Sequence, residues 1–130
     1  MLSIDTLRLF LHVSAAAIWV GGQFTIAGIL PTVRGMGDDA PRQVARAFNR
    51  MAWPAYGVAV VTGLWGVLEV PLDAIPHPEI EIKLLVVVLS GLGALIHQFA
   101  NGNKAMLAIG GAMSSLFGAA AIWVGVALAV

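Results

Sequence analysis

The sequence predicts an all-α integral membrane protein: a four-helix bundle forming a single domain over residues 1–130, with both termini on the outer side. Three observations predict it. Hydrophobic residues make up 59% of the chain and charged residues 11%, against about 25% charged in a soluble domain, whose surface must face water. Mean hydropathy is +0.90. Four apolar stretches, about 7–30, 52–70, 80–100 and 105–129, each approach the roughly 20 residues a helix needs to cross a bilayer. In lipid the backbone must satisfy its own hydrogen bonds, so these spans are helices rather than strands.

The first span follows MLSIDTLRLF, where Asp5 and Arg8 precede a long apolar run. No small-residue cleavage site closes a short hydrophobic core, so the expectation is a retained span rather than a signal peptide. PTVRGMGDDAPRQ breaks the chain after this span, PLDAIPHPEIE separates the second and third, and NGNK turns tightly before the fourth. Within the first break, Asp38 or Asp39 is the expected helix cap, with Pro41 in the first turn. Arg42, Arg46 and Arg50 then recur every four residues, with Val44, Phe48 and Met51 on another face. This pattern predicts an amphipathic segment over about 39–51 at the headgroups, continuous with or next to the second span. It reads either as a lipid- or subunit-binding face or as a topology anchor.

Arg34, Arg42, Arg46, Arg50 and Lys104 fall on one side of the predicted membrane; Asp5, Glu69, Asp73, Glu79 and Glu81 fall on the other. The positive-inside rule then places the arginine-rich loop in the cytoplasm. The expected location is a bacterial-type inner (plasma) membrane, crossed several times. Seven basic residues balance seven acidic ones, which argues against nucleic acid, since that partner calls for a basic face. With no cysteine there is no disulfide framework, thiolate metal site or thiol nucleophile. There is also no nucleophile elbow, no phosphate-cradling glycine loop before a lysine and no HExxH helix. Glu79 and Glu81, two residues apart at a helix start, point to different faces. The sequence therefore favours a non-enzymatic role.

Packing residues are plentiful. Gly110, Ser114 and Gly118 form a small-xxx-small ladder on the fourth span, the spacing that lets membrane helices approach closely. The heptapeptide AAAIWVG occurs at 15–21 and again at 119–125, and reads as shared packing chemistry.

The chemistry-bearing residues lie within the spans. At about 100° per residue, His12, Ala16, Trp19 and Gln23 share one helical stripe that Arg8 extends outward. A lone imidazole or carboxamide in hydrocarbon is costly, so this stripe must face the protein interior. His12, Trp19 and Gln23 are the candidate cofactor-binding residues, and His12 and His97 the candidate metal ligands. A hydrogen-bonded structural role stands beside the ligand role for both histidines. The third span carries its own stripe of Lys83, Ser90, Ala94, His97 and Asn101, whereas His77 sits in an exposed PHP loop.

Copper and haem b are the cofactors these residues suit. Without cysteine, Cu(I) would draw on imidazole and thioether: His12, His77 and Met1 towards the outside, His97 with Met51 or Met106 towards the inside. One haem cannot use both His12 and His97. The expected topology separates them by roughly 18 Å of depth, while two axial nitrogens on one iron lie about 4 Å apart. A haem on His12 with no second ligand from this chain stays open.

LHVSAAAIWVGGQFTIAGILPTVR resembles the opening of the copper resistance protein D family: a histidine, then Trp-x-Gly-Gly, then an apolar run closing in proline and arginine. The residues are His12, Trp19, Gly21, Gly22, Pro31 and Arg34. AFNRMAWPAYGVAVVTGLWGV, with Thr62-Gly63, and IKLLVVVLSGLGALIH, opened by Lys83, continue the likeness over most of the chain. The resemblance implies a multi-span protein of copper uptake or tolerance. A more distant likeness, to HemJ-type protoporphyrinogen oxidases, rests on the first-span histidine and tryptophan. Members of that family tend to carry a further histidine after an arginine, which ILPTVRGMGDD lacks.

Three functional expectations follow. The first is copper handling or transport across the membrane through His12. The second is an accessory subunit of a larger membrane complex, or a homo-oligomer, whose polar stripes serve packing. The third is a haem b redox or oxidase-like protein with His12 as axial ligand. In each the lipid bilayer is a partner and nucleic acid is not.

Overall fold

A computed structural model describes residues 2–130. Among these residues there are four long helices and no strand. They are α1 (Ile4–Arg34), α2 (Ala40–Leu68), α3 (Glu79–Gln98) and α4 (Lys104–Ala127), with one 3-10 turn at Leu72–Ala74 before α3. Each helix is long and apolar enough to cross a membrane. The chain divides into two compact units, Met1–Glu69 and Val70–Val130, and each is a helical hairpin.

In the first hairpin, α1 starts earlier than residue 7 because Ser3 caps it. The Ser3 hydroxyl accepts the Thr6 amide at 3.1 Å, satisfying one of the amides left without a partner at a helix start. The helix also runs past residue 30, through Pro31 to Arg34. Proline deletes one intrahelical bond, a loss that membrane helices tolerate. Asp39 takes the cap position of α2, but its side chain makes no capping bond. Its backbone is already near-helical (φ −94°, ψ −9°), whereas a capping side chain reaches back from an extended residue. The Asp39 carboxylate instead accepts from Gln43 Nε2 at 3.1 Å and lies 3.7 Å from Arg46. The arginine-bearing segment and the second apolar span form one unbroken helix.

Contacts down the hairpin show that α1 and α2 are antiparallel. Arg8 pairs with Glu69, His12 with Ala59 and Thr62, Trp19 with Tyr56 and Trp53, and Gly22 lies under the Phe48 ring. Ala15, Trp19 and Val20 of α1 and Ala52, Ala55 and Thr62 of α2 are buried.

The second hairpin is closer-packed. A Cβ on Gly110 would sit 2.7 Å from the Gly93 carbonyl oxygen and 2.8 Å from the His97 Cα, so only glycine fits at this crossing. The expected ladder of Gly110, Ser114 and Gly118 is buried, with Ser90, Gly91 and Gly93 the buried residues of α3. The Ser90 hydroxyl donates to the Ser114 carbonyl at 2.7 Å. Asn101 (φ 49°) and Gly102 (φ 82°) turn the chain in the left-handed region. Asn103 then caps α4 by accepting the Met106 amide at 3.1 Å.

The repeated heptapeptide does not share its packing. Trp19 is 5% exposed and Trp123 is 76% exposed. In α4 the buried stripe runs through Gly110, Ser114 and Gly118. Trp123, five residues beyond Gly118, points roughly 140° away from it.

Candidate functional site

The N-terminal half of α1 presents Arg8, His12 and Trp19 towards α2 at helical spacing. Each meets a different partner there. The His12 ring lies against Gly63, where an added Cβ would come within 3.0 Å of Cε1; the absent side chain makes room for the imidazole. Its Nδ1 is 2.9 Å from the Ala59 carbonyl oxygen and 3.1 Å from the Thr62 hydroxyl. A carbonyl only accepts, so Nδ1 carries the proton, and in the neutral ring Nε2 holds the lone pair. The Thr62 hydroxyl donates to the Val58 carbonyl at 2.6 Å, which leaves its own lone pair facing His12. Thr62 is 5% exposed, so its geometry is fixed by packing.

One turn towards the N-terminus, the Arg8 guanidinium lies across Gly66. Arg8 Nε is 3.5 Å from Glu69 and 3.9 Å from Asp5, which makes these ion pairs rather than close hydrogen bonds. Glu69 also accepts from the Trp65 indole at 2.6 Å. Two turns beyond His12 along α1, Trp19 sits in an aromatic cluster, with ring centroids 4.6 Å from Tyr56 and 5.2 Å from Trp53. Gln23, one turn further, is half-buried, its amide nitrogen inside the protein.

The second hairpin repeats one element of this arrangement. His97 Nδ1 lies 2.8 Å from the Leu107 carbonyl oxygen, and the ring packs over Gly111. Here too a backbone carbonyl of the neighbouring helix fixes Nδ1–H and makes Nε2 the donor atom. His97 is more exposed than His12. Lys83 lies over Gly125, where an added Cβ would be 3.0 Å from Nζ. His77, in the exposed PHP loop, pairs with Glu81 at 2.7 Å. The spacing i, i+4 at the start of α3 brings them together, and it was visible in PHPEIE.

Of the sequence candidates, His12 and Trp19 face α2 as the stripe required, and each hairpin holds one metal-ligand candidate. Among the described residues no group of three or more His, Cys, Asp or Glu side chains converges as a metal site would require. Met1, one of the thioether candidates, lies outside the described residues. Nothing in the sequence marks Ala59 as a partner, because a backbone carbonyl leaves no mark in residue type. Compared with protein-family models, curated proteins and solved structures, the chain matches none.

Proposed function

We propose that this chain is a multi-pass membrane protein that handles copper, with His12 Nε2 as a ligand on the ion's route. The observation that carries the reading is the Nδ1–H bond from His12 to the Ala59 carbonyl at 2.9 Å. Metal-ligating histidines almost always donate their other ring N–H to a carbonyl or carboxylate, which fixes the tautomer and raises the basicity of the ligating nitrogen. Imidazole inside an apolar span, in a chain without cysteine, suits Cu(I). His97 shares the same orientation and is the second ligand candidate. The resemblance to the copper resistance D family supports copper over other metals, and both termini outward, in a bacterial-type plasma membrane, is the accompanying topology. Trp19 and Gln23 continue the same helix face, two and three turns along α1 from His12.

One observation favours a second reading, haem b. Each hairpin offers a single carbonyl-oriented imidazole, with no wider ligand cluster among the described residues. A macrocycle supplies four nitrogens of its own and needs only one from the protein. His12 would hold the iron, and the haem would supply redox chemistry in the membrane. The remaining reading, an accessory subunit or homo-oligomer, assigns both histidines to packing.

Absorption spectra of the detergent-purified protein, oxidised and dithionite-reduced, with metal analysis of the same sample, separate the three. Near-stoichiometric copper in a colourless protein, lost in His12→Ala, supports copper handling. A Soret band that shifts on reduction and vanishes in His12→Ala replaces copper with haem. Neither signal, together with co-purifying larger subunits, leaves His12 as a structural residue.

A further inference from the structure

The arginines of α2 take no part in the His12 site. Along α2, Arg42, Arg46 and Arg50 are exposed, while Val44, Phe48 and Ala52 are half-buried or buried. Phe48 packs onto Gly22 of α1, so the apolar face is used within the hairpin and the arginine ridge is turned away from it. Asp39 lies 3.7 Å from Arg46. Arg42 and Arg50 make no ion pair among the described residues.

Depth follows from the unbroken helix. The 29 residues of α2 extend about 43 Å, against a hydrocarbon core of about 30 Å. The acidic C-cap of the helix, Glu69, is held by Arg8 and Trp65, and it marks one membrane boundary. Measured from there along a helix on the membrane normal, Arg50 lies roughly 28 Å in, Arg46 roughly 34 Å and Arg42 roughly 40 Å. The headgroup layer beyond the hydrocarbon is about 5–7 Å thick. Arg50 therefore reaches the opposite hydrocarbon edge, Arg46 falls among the phosphates, and Arg42 borders the water.

We propose that the Arg42–Arg46–Arg50 ridge is a binding site for anionic phospholipid headgroups. A guanidinium at the hydrocarbon edge without an acidic partner needs a counter-charge there, and phosphate oxygens match its fork of N–H donors bidentately. Because the ridge continues the transmembrane helix, its arginines are held at headgroup depth without a folding step. This distinguishes it from a loop of scattered positive charge, which sets topology but holds no lipid.

The test uses the full chain reconstituted in phosphatidylcholine bilayers with spin-labelled phosphatidylglycerol or spin-labelled phosphatidylcholine. Electron spin resonance reads the fraction of each lipid held at the protein surface. The wild type is expected to prefer phosphatidylglycerol by roughly threefold to fivefold, less at high salt. The triple variant R42Q/R46Q/R50Q should show a preference near one, and K104Q, on the second hairpin, should behave as wild type. A wild type without preference overturns the proposal and leaves the ridge to an acidic protein partner. A preference that survives in the triple variant overturns it too. Absence of a held fraction for either lipid would instead refute the membrane placement on which the inference rests.

Discussion

The His12 imidazole is fixed by the carbonyl oxygen of Ala59, 47 residues away in the chain and 2.9 Å from Nδ1. The Thr62 hydroxyl, at 3.1 Å, holds the same ring atom from the side. Together they make the orientation of Nε2 a property of the α1–α2 hairpin rather than of α1 alone.

Thr62→Val keeps the shape of this contact and removes its polar partner. The Ala59 carbonyl remains, so the ring should stay near its place but be held less firmly. Loss of such an outer-shell contact typically weakens metal binding about 10- to 100-fold. Titration of the purified variant with Cu(I) against a competing chelator measures this. Unchanged affinity would mean that the Thr62 contact does not tune the ligand.

Gly63→Ala tests the same ring sterically. Its Cβ would lie 3.0 Å from His12 Cε1, so the imidazole must shift by a few tenths of an ångström. Gly57, in the same helix, has nothing within 4 Å of its Cβ position. Gly63→Ala should weaken metal binding, whereas Gly57→Ala should leave it intact. Equal effects would show that the ring position is irrelevant to the ligand.

The α3–α4 crossing should be the least tolerant place in its hairpin. A Cβ at Gly110 would strike the backbone of Gly93 and His97, and backbone has no rotamer to escape through. Gly110→Ala should cost about 1–3 kcal/mol as an overpacked site. Gly21→Ala, in open space, should be neutral or stabilise by up to about 1 kcal/mol through helix propensity. Unfolding in mixed detergent micelles compares the two, and similar values would count against the observed crossing.

Two buried serines should respond in opposite directions. The Ser90 hydroxyl donates to the Ser114 carbonyl at 2.7 Å, so Ser90→Ala should destabilise by about 0.6 kcal/mol and at most about 1.7. The Ser114 hydroxyl is buried without a hydrogen-bond partner. Ser114→Ala removes an unsatisfied group and should be neutral or stabilising. The same unfolding assay decides, with a marked loss in Ser114→Ala as the contrary result.

The sequence by itself determined that the chain forms long apolar helices, roughly where they lie, and that α4 packs through a ladder of small residues. These are properties of local composition and of the 3.6-residue period, and they need no partner to be read. It also put His12 and Trp19 on one inward stripe, because that stripe is geometry within a single helix. Helix ends were less legible: Ser3 and Asn103 cap by hydrogen bonds that depend on backbone angles, and Asp39 fails to cap for the same reason. Only the tertiary structure decided which tryptophan of the repeated AAAIWVG is buried, since the same seven residues meet a neighbouring helix on different faces. It alone showed that a backbone carbonyl sets the tautomer of each span histidine. Carbonyls are present at every residue, so which of them accepts the proton depends on the register of one helix against the next.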